Sequence, residues 1–233
     1  MLKVYKAWTA ALTALYPQRC IGCGYLALGE LCAQCRAELP WLYEPACPVC
    51  NEPGVEGPCG RCQRRRPPFD RCRALFRYAP PVDRILQELK FGGRLAHAGV
   101  LGRELAAALG DLPRPDALVP VPLHPWRQCR RGYNQALEIA RPLGRALGVP
   151  VAAGLVKRRR YTSPQTALPL DQRRRNLQGA FALRGPLPGR RFALVDDILT
   201  TGHTAGELAR CLKAAGAREV EVWVVARTPL EGR

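Results

Sequence analysis

Apolar and polar positions along this chain follow two periods. Phe192-Ala193-Leu194-Val195 is an unbroken apolar run, which predicts a strand buried on both faces, as in a parallel sheet. Glu219 to Ala226 (EVEVWVVA) predicts a second strand after Gly216, and Arg73 to Ala79 (RALFRYA) alternates as a third. Leu118-Val119-Pro120-Val121-Pro122 predicts a short strand leading into a rigid loop, and Val151 to Val156 another strand. Between these the period lengthens. Val82 to Phe91 predicts a helix with Ile85, Leu86 and Leu89 inward, stopped by Gly92-Gly93. Leu95 to Leu109 predicts a second helix, and Gln135 to Leu147 a third that Pro142 should kink. Leu208 and Leu212, four apart, mark a helix beginning just after Thr204. Strands alternating with helices predict an α/β domain, a mostly parallel sheet flanked by helices.

The first 16 residues carry Tyr5, Trp8, Leu12 and Leu15 at helical spacing, with Lys3 and Lys6 pointing elsewhere. Two lysines and a short apolar stretch give them some likeness to a signal peptide, but no small-residue cleavage site precedes Pro17. An amphipathic helix packed on its own protein is the preferred reading, and contact with a membrane surface is the alternative. No run is long enough to span a bilayer. A basic, proline-rich stretch from Gln63 to Pro68 reads as a boundary. The expected organisation is an amphipathic helix at 1–16, a small module at 17–66 and the α/β domain at 67–233.

The small module is defined by thiols. Cys20/Cys23, Cys32/Cys35, Cys47/Cys50 and Cys59/Cys62 form four CxxC pairs, and eight residues separate the first two pairs and likewise the last two. Two residues between thiolates let both sulfurs face one ion in a tight turn, so the pattern predicts two structural four-cysteine Zn2+ sites. Sequential pairing makes one site of Cys20, Cys23, Cys32 and Cys35 and the other of Cys47, Cys50, Cys59 and Cys62. A cross-braced pairing, first pair with third and second with fourth, stays open. A disulfide framework would need an oxidising compartment, and nothing in the chain exports it. Regular repetition is not required by redox chemistry. Cys72, Cys129 and Cys211 are left over and are expected to be small buried apolar residues.

Charge narrows the choice of ligand. Thirty-six Lys and Arg against 19 Asp and Glu give a net charge of +17, which favours anionic ligands: nucleotides, pyrophosphate or nucleic acid. Most of the basic residues are Arg, in a chain also rich in Ala, Leu, Pro and Gly, and compositional bias produces the same excess. Two thiolate-zinc sites would also subtract about four charges.

The chemistry concentrates in Phe192 to Thr204, FALVDDILTTGHT. Asp196 and Asp197 stand at the carboxyl end of the predicted strand, where open α/β sheets bind ligands. The loop Thr200-Thr201-Gly202-His203-Thr204 runs straight into a helix, whose first backbone N–H groups suit a phosphate. The carboxylates repel phosphate and suit hydroxyl donors or a metal-bound sugar. Together these needs describe a ribose 5-phosphate. The bland reading is an acidic strand end followed by an ordinary N-cap. His97 and His203 have no partners that would make them catalytic, and His124 follows the proline turn without the setting of a base.

This segment resembles the phosphoribosyl pyrophosphate (PRPP) motif of type I phosphoribosyltransferases: an apolar strand, two acids, two residues, then T-T/S-G-x-T. The resemblance implies that Asp196 and Asp197 hold the ribose hydroxyls and that Thr200, Thr201, Gly202, His203 and Thr204 wrap the 5-phosphate. In that family a loop placed like Val119 to Gln135 (VPVPLHPWRQCRRGYNQ) binds pyrophosphate, which puts Pro120, Val121, Pro122 and Arg131 there. The alternative is a solvated basic loop. Lys157 to Phe181 is polar and basic and is expected to be a mobile loop. Its Gln165 and Leu168, followed by Arg173, Asn176 and Phe181, match the Q-x-x-L and R-x-x-N-x-x-G-A-F pattern of the ComF competence family. RGYNQ and the paired CxxC module are similar to that family too, so the likeness runs from Cys20 to Thr228.

The ComF resemblance implies a double zinc ribbon fused to a type I phosphoribosyltransferase-like domain in a bacterial cytoplasmic protein linked to DNA uptake. The expected ligands are PRPP with Mg2+ and single-stranded DNA. The expected partners are a competence helicase or uptake channel at the inner face of the membrane. Arg173, with Arg174 or Arg175, is the candidate to close over departing pyrophosphate. Gln165, Arg173, Arg174, Arg175 and Asn176 form the flexible loop, and Asp196, Asp197 and Arg173 the catalytic set. Two functions remain: a phosphoribosyltransferase of unnamed acceptor, or a DNA-binding protein whose PRPP site is a sensor or relic.

Overall fold

The computed structural model describes residues 18–27, 29–43, 45–159 and 179–229. The helix expected at 1–16, and Gln165, Arg173, Arg174, Arg175 and Asn176, lie outside the described residues. The cysteine module opens with a short antiparallel pair, β1 (Gln18–Arg19) and β2 (Leu26–Ala27), followed by α1 (Ala33–Ala37) and α2 (Gly60–Arg64). The α/β domain then runs β3 (Arg71–Arg77), α3 (Val82–Phe91), α4 (Ala96–Leu109), β4 (Ala117–Pro120), α5 (Pro125–Arg131) and α6 (Gln135–Leu147). It continues with β5 (Val156–Arg158), β6 (Phe181–Leu183), β7 (Arg191–Leu199), α7 (His203–Ala214) and β8 (Glu219–Arg227).

Four strands make one parallel sheet in the order β3-β8-β7-β4. Its middle strands are apolar on both faces: Ala193, Leu194 and Val195 of β7 and Val222, Val224 and Val225 of β8 are wholly buried. On one face α3, α4 and α6 cover Ala193, Val195 and Val225. On the other, α7 covers Leu194, Val222 and Val224, and the second cysteine cluster joins the same core. The predicted inward positions of α3 are all buried, and the helix closes at Gly92 as its glycine pair foretold.

The cysteine module also closes an edge of the sheet. Leu42 N donates to Leu75 O at 2.8 Å, Arg77 N to Pro40 O at 2.8 Å and Cys72 N to Val49 O at 2.8 Å. The outer groups of β3 are thereby paired instead of presented to solvent.

Three expectations are corrected: the strand at Val151, the loop after Pro122 and the burial of Cys129. The strand foreseen at Val151 to Val156 is reduced to a single parallel bridge, Val151 to Leu118. Pro150 O and Ala152 N bond Leu118 at 2.9 and 2.8 Å, a turn at 153–154 then leads away, and β5 pairs instead with β6. The segment after Pro122, expected as a loop, contains α5. Pro125 opens that helix and Gly132, at φ +83°, ends it, so these residues bound a helix where they suggested a loop. Pro142 lies within one helix assigned without a break from Gln135 to Leu147. Its ring occupies space that Gly102 of α4 leaves open, since a Cβ on Gly102 would stand 2.5 Å from Pro142 Cγ and 2.6 Å from Ile139 O. Of the leftover cysteines, Cys72 is buried and Cys211 partly so, but Cys129 is exposed.

Replacing Gly102 by Ala is therefore expected to push α4 and α6 apart and cost about 1–3 kcal/mol, read as a lowered midpoint of denaturant unfolding. Zinc content should not change, because neither helix carries a cysteine.

Candidate functional site

Each cysteine cluster gathers by sequential pairing. The sulfurs of Cys20, Cys23, Cys32 and Cys35 lie within 4.8 Å of one another, as do those of Cys47, Cys50, Cys59 and Cys62. Backbone amides point at the thiols: Gly22 N and Cys32 N at Cys20 Sγ (3.4 and 3.3 Å), and Cys59 N at Cys47 Sγ (3.3 Å). Burial alone would raise the Cys20 thiol, but the N–H groups of Cys32, Cys23 and Gly22 outweigh it and lower the pKa to about 6. The same balance, with amides from Cys50, Cys59 and Val49, lowers Cys47 to about 7. Burial pushes the thiols of Cys35 and Cys62 up instead, and Cys50 up to about 11; it is the convergence of four soft donors in each cluster that fits a closed tetrahedral zinc site. With no open position, the role is structural.

The acid pair sits where the sheet's apolar core ends. Asp197 is 4% exposed, and its Oδ2 lies 2.7 Å from Lys90 Nζ at the end of α3. Asp196 is partly buried. Burial first, and then the neighbouring Asp197 charge, push its carboxyl well above the usual carboxylate range. Each carboxylate also accepts the next backbone amide: Asp197 N to Asp196 Oδ1 and Ile198 N to Asp197 Oδ1, both at 2.9 Å. Neither acid projects freely into solvent.

The threonine turn follows directly. Gly202, at φ +74°, takes the left-handed conformation that starts α7, and the helix's first bond runs from Gly206 N to Gly202 O at 2.8 Å. His203 and Thr204 fall in the opening turn, ahead of that bond, and Thr201 Oγ1 lies 3.2 Å from His203 Nδ1. Behind the turn, Arg227 Nη1 donates to Thr200 O at 2.6 Å, and Arg61 donates to Thr201 O.

The residues expected to meet pyrophosphate are placed unevenly. Pro120 ends β4, and Val121 N donates to Val195 O at 2.9 Å, extending the ladder. With no N–H on Pro120 or Pro122 and that of Val121 taken, these three residues present no amide to an anion. Arg131 is on α5, its guanidinium 5.2 Å over the Phe91 ring and 2.5 Å from Gln135 Oε1. Asn134 is a helix cap: Oδ1 accepts from Ala136 N and Nδ2 donates to Val121 O, both at 3.0 Å. His124 likewise caps α5, accepting from Trp126 N at 3.2 Å.

Three residues missed by sequence reasoning join the site. Lys90 is the counter-charge of Asp197, and its position four after inward-facing Leu86 was the available signal. Arg158 of β5 is 9% exposed, and its pKa falls to about 10, through burial first and then the charge of Arg127, while Asp196 opposes the shift. Arg227 closes the turn from behind and is 1% exposed.

Known proteins place this architecture. Residues 11–67 match the double zinc ribbon domain family and residues 133–232 the phosphoribosyl transferase domain family. Competence protein F of Haemophilus influenzae is 35% identical over 226 residues, covering 90% of this chain and 96% of that protein. DNA utilization protein YhgH of Escherichia coli K12 is 38% identical over 213 residues, covering 87% and 93%. The chain belongs to the ComF family. A more distant ComF relative, competence protein ComFC of Streptococcus pneumoniae, is 27% identical over 199 residues, covering 84% and 87%. Among solved structures, purine phosphoribosyltransferase from Pyrococcus horikoshii aligns at a TM-score of 0.37 and 19% identity, covering 58% of this chain and 85% of that one. No helix among the described residues is long and apolar enough to cross a membrane.

Two outcomes follow for this ComF-family protein. Metal analysis should return two zinc ions per chain, falling to one when Cys20 and Cys23 are both changed to Ser. Asp196→Asn should stabilise the ligand-free protein. A carboxyl with a raised folded-state pKa binds its proton more tightly folded than unfolded. Its contribution is full below the unfolded carboxylate pKa and is lost as pH rises toward the folded value. At neutral pH the buried acid is thus a net cost, and removing ~1 kcal/mol of it should raise Tm by about 2–4 °C. A thermal shift measured at pH 7.5 checks this.

Proposed function

We propose that this protein binds PRPP, with the ribose hydroxyls on Asp196 and Asp197 and the 5-phosphate in the turn Thr200-Thr201-Gly202-His203-Thr204. One observation carries the reading. At the end of a parallel strand, two largely shielded carboxylates meet a glycine-started helix N-terminus, in a ComF-family chain with a matched phosphoribosyl transferase domain. The helix terminus supports the phosphate through backbone amides and dipole. The acids cannot share that anion and accept hydroxyls, with Lys90 offsetting the charge of Asp197. Pyrophosphate lies toward Arg131, Arg127 and Arg158, and Pro120 to Pro122 act as a rigid support. Mg2+, when bound, neutralises pyrophosphate and ribose oxygens.

Phosphoribosyl transfer builds positive charge on the ribose carbon and negative charge on departing pyrophosphate. Buried acids beside the ribose favour the first. Arginines favour the second, Arg173 with Arg174 or Arg175 closing over it and excluding water. The acceptor is unassigned. We propose further that it works in the cytoplasm, in DNA uptake, with a helicase or channel as neighbour; the relatives called competence protein F and DNA utilization protein support the DNA-uptake part.

A second reading, single-stranded DNA binding with the PRPP site as a sensor, is favoured by a cleft of about 500 Å³ lined by Arg61, Arg65, Arg66 and Arg210 beside the same turn. Trp126, 53% exposed beneath Arg130, offers a stacking face, whereas the Tyr133 hydroxyl is engaged by Leu89 O.

Titration calorimetry with PRPP and Mg2+ tests the first reading. Wild type should bind, and Asp196→Asn combined with Asp197→Asn should lose at least about tenfold in affinity, the scale of two hydroxyl–carboxylate bonds. No heat from a folded, zinc-loaded wild type refutes it. For the second, DNA affinity should fall steeply with salt.

A further inference from the structure

We infer that Arg227 and Arg61 are positioning residues that hold the Thr200–Gly202 turn in its anion-accepting form by fastening it to the second cysteine cluster. The inference rests on the phosphate-binding reading of that turn and adds what sets its shape.

The geometry is a bridge of two guanidinium groups. Arg227, at the end of β8, donates through Nη1 to Leu199 O at 3.1 Å and Thr200 O at 2.6 Å. Its other side faces the cysteine module: Nε donates to Cys50 O at 3.1 Å and Nη2 to Glu52 Oε2 at 2.8 Å. Glu52 is itself 5% exposed, so the pair is buried from both ends. Arg61 lies on α2 between the thiol donors Cys59 and Cys62 and donates to Thr201 O. Three successive carbonyls, of Leu199, Thr200 and Thr201, thus accept from guanidinium groups anchored on or within the cysteine module, and Leu199 O also accepts Thr228 N at 3.0 Å.

In a trans peptide the C=O and N–H point in opposite directions. Holding those three carbonyls toward the second cluster turns the amides of Thr200, Thr201 and Gly202 away from it. That row of amides is what an anion-binding turn requires. A guanidinium suits the task because its planar fork of five donors can serve two elements at once, which a single ammonium cannot. The ring of Phe69, 3.5 Å from the position a Gly202 Cβ would take, supports the turn from the same side.

The two cysteine clusters differ in this respect. The first is tied to helices: Arg84 to Gly22 O, Arg103 to Glu30, and Arg36 to Glu104 at 3.0 Å. None of these contacts touches the turn. Residues 47–62 carry the four thiols of the second cluster, so a metal held there would fix the segment that carries Cys50, Glu52 and Arg61. The second cluster, and not the first, therefore governs the turn.

The experiment compares wild type, Arg61→Ala, Arg227→Lys and the double variant Cys23→Ser/Cys35→Ser, each with zinc counted per chain. Hydrogen exchange is measured without ligand at Gly206 and Thr228, whose amides donate to Gly202 O and Leu199 O at the two ends of the turn, and PRPP–Mg2+ affinity by calorimetry. Arg61→Ala should keep two zinc ions, while exchange at Gly206 and Thr228 accelerates and affinity falls by about tenfold, as for one lost charge-assisted bond. Arg227→Lys should do more. The first-cluster variant should lose one zinc ion and leave turn exchange as in wild type. Unchanged exchange in a folded Arg61→Ala overturns the inference, and so does equal loosening in the first-cluster variant. If wild type binds no PRPP, the functional reading fails, and the exchange data alone still decide whether the bridge orders the turn.

Discussion

Burial on both faces of β7 and β8 is the constraint from which the site follows. Up to Val195 the central strand lies among wholly buried apolar side chains. At Asp196 the same strand continues, but its side chains become charged while their surroundings remain largely closed. Water leaves, and each charge must be met by protein. Lys90 meets Asp197, while Asp196 carries the strain of a raised pKa beside it. In the proposed function, a ligand that brings hydroxyls and a magnesium-bound pyrophosphate would relieve that imbalance. The site is poised because the sheet that makes the fold does not stop where the charges begin.

The cysteine module plays a second structural part, since neither ribbon is large enough to bury a core of its own. The second cluster is absorbed into the main core, with Cys47, Cys50, Cys59 and Cys62 all buried alongside residues of the sheet and α7. The first clings to α3 and α4 by ion pairs and carbonyl bonds. Two modules of similar sequence spacing thus differ in what they support, one resting on helices and the other reaching the Thr200–Gly202 turn.

Most of the sheet was legible because its strands are short, apolar and bounded by glycine or charge, as at Gly216 before Glu219. The acid pair and threonine turn were legible because their pattern is local. The α5 segment was not: Pro122, Pro125 and Gly132 signal a turn as readily as a helix start and stop, and only the cap at His124 distinguishes them. Val151 looked like a strand because the apolar run from Val151 to Val156 is β-branched at both ends, but one bond pair at the edge of β4 is all the geometry allows. Arg227 was beyond reach, since its carboxylate partner Glu52 lies 175 residues away. No period or motif encodes such a pairing. Arg158 was visible only as one of a run of arginines, and its closeness to Asp196 is a product of the β5–β6 ribbon.

The pairing along β3 has a consequence for the molecule in company. Seven residues, Arg71 to Arg77, would otherwise form an open border onto which a strand of another molecule could add. Segments at Pro40 to Leu42 and Val49 to Asn51, strung between and beside the metal-binding loops, occupy that border. The fold of the cysteine module therefore bears on colloidal behaviour, because the segments it strings along β3 fill the border where a neighbouring copy would template.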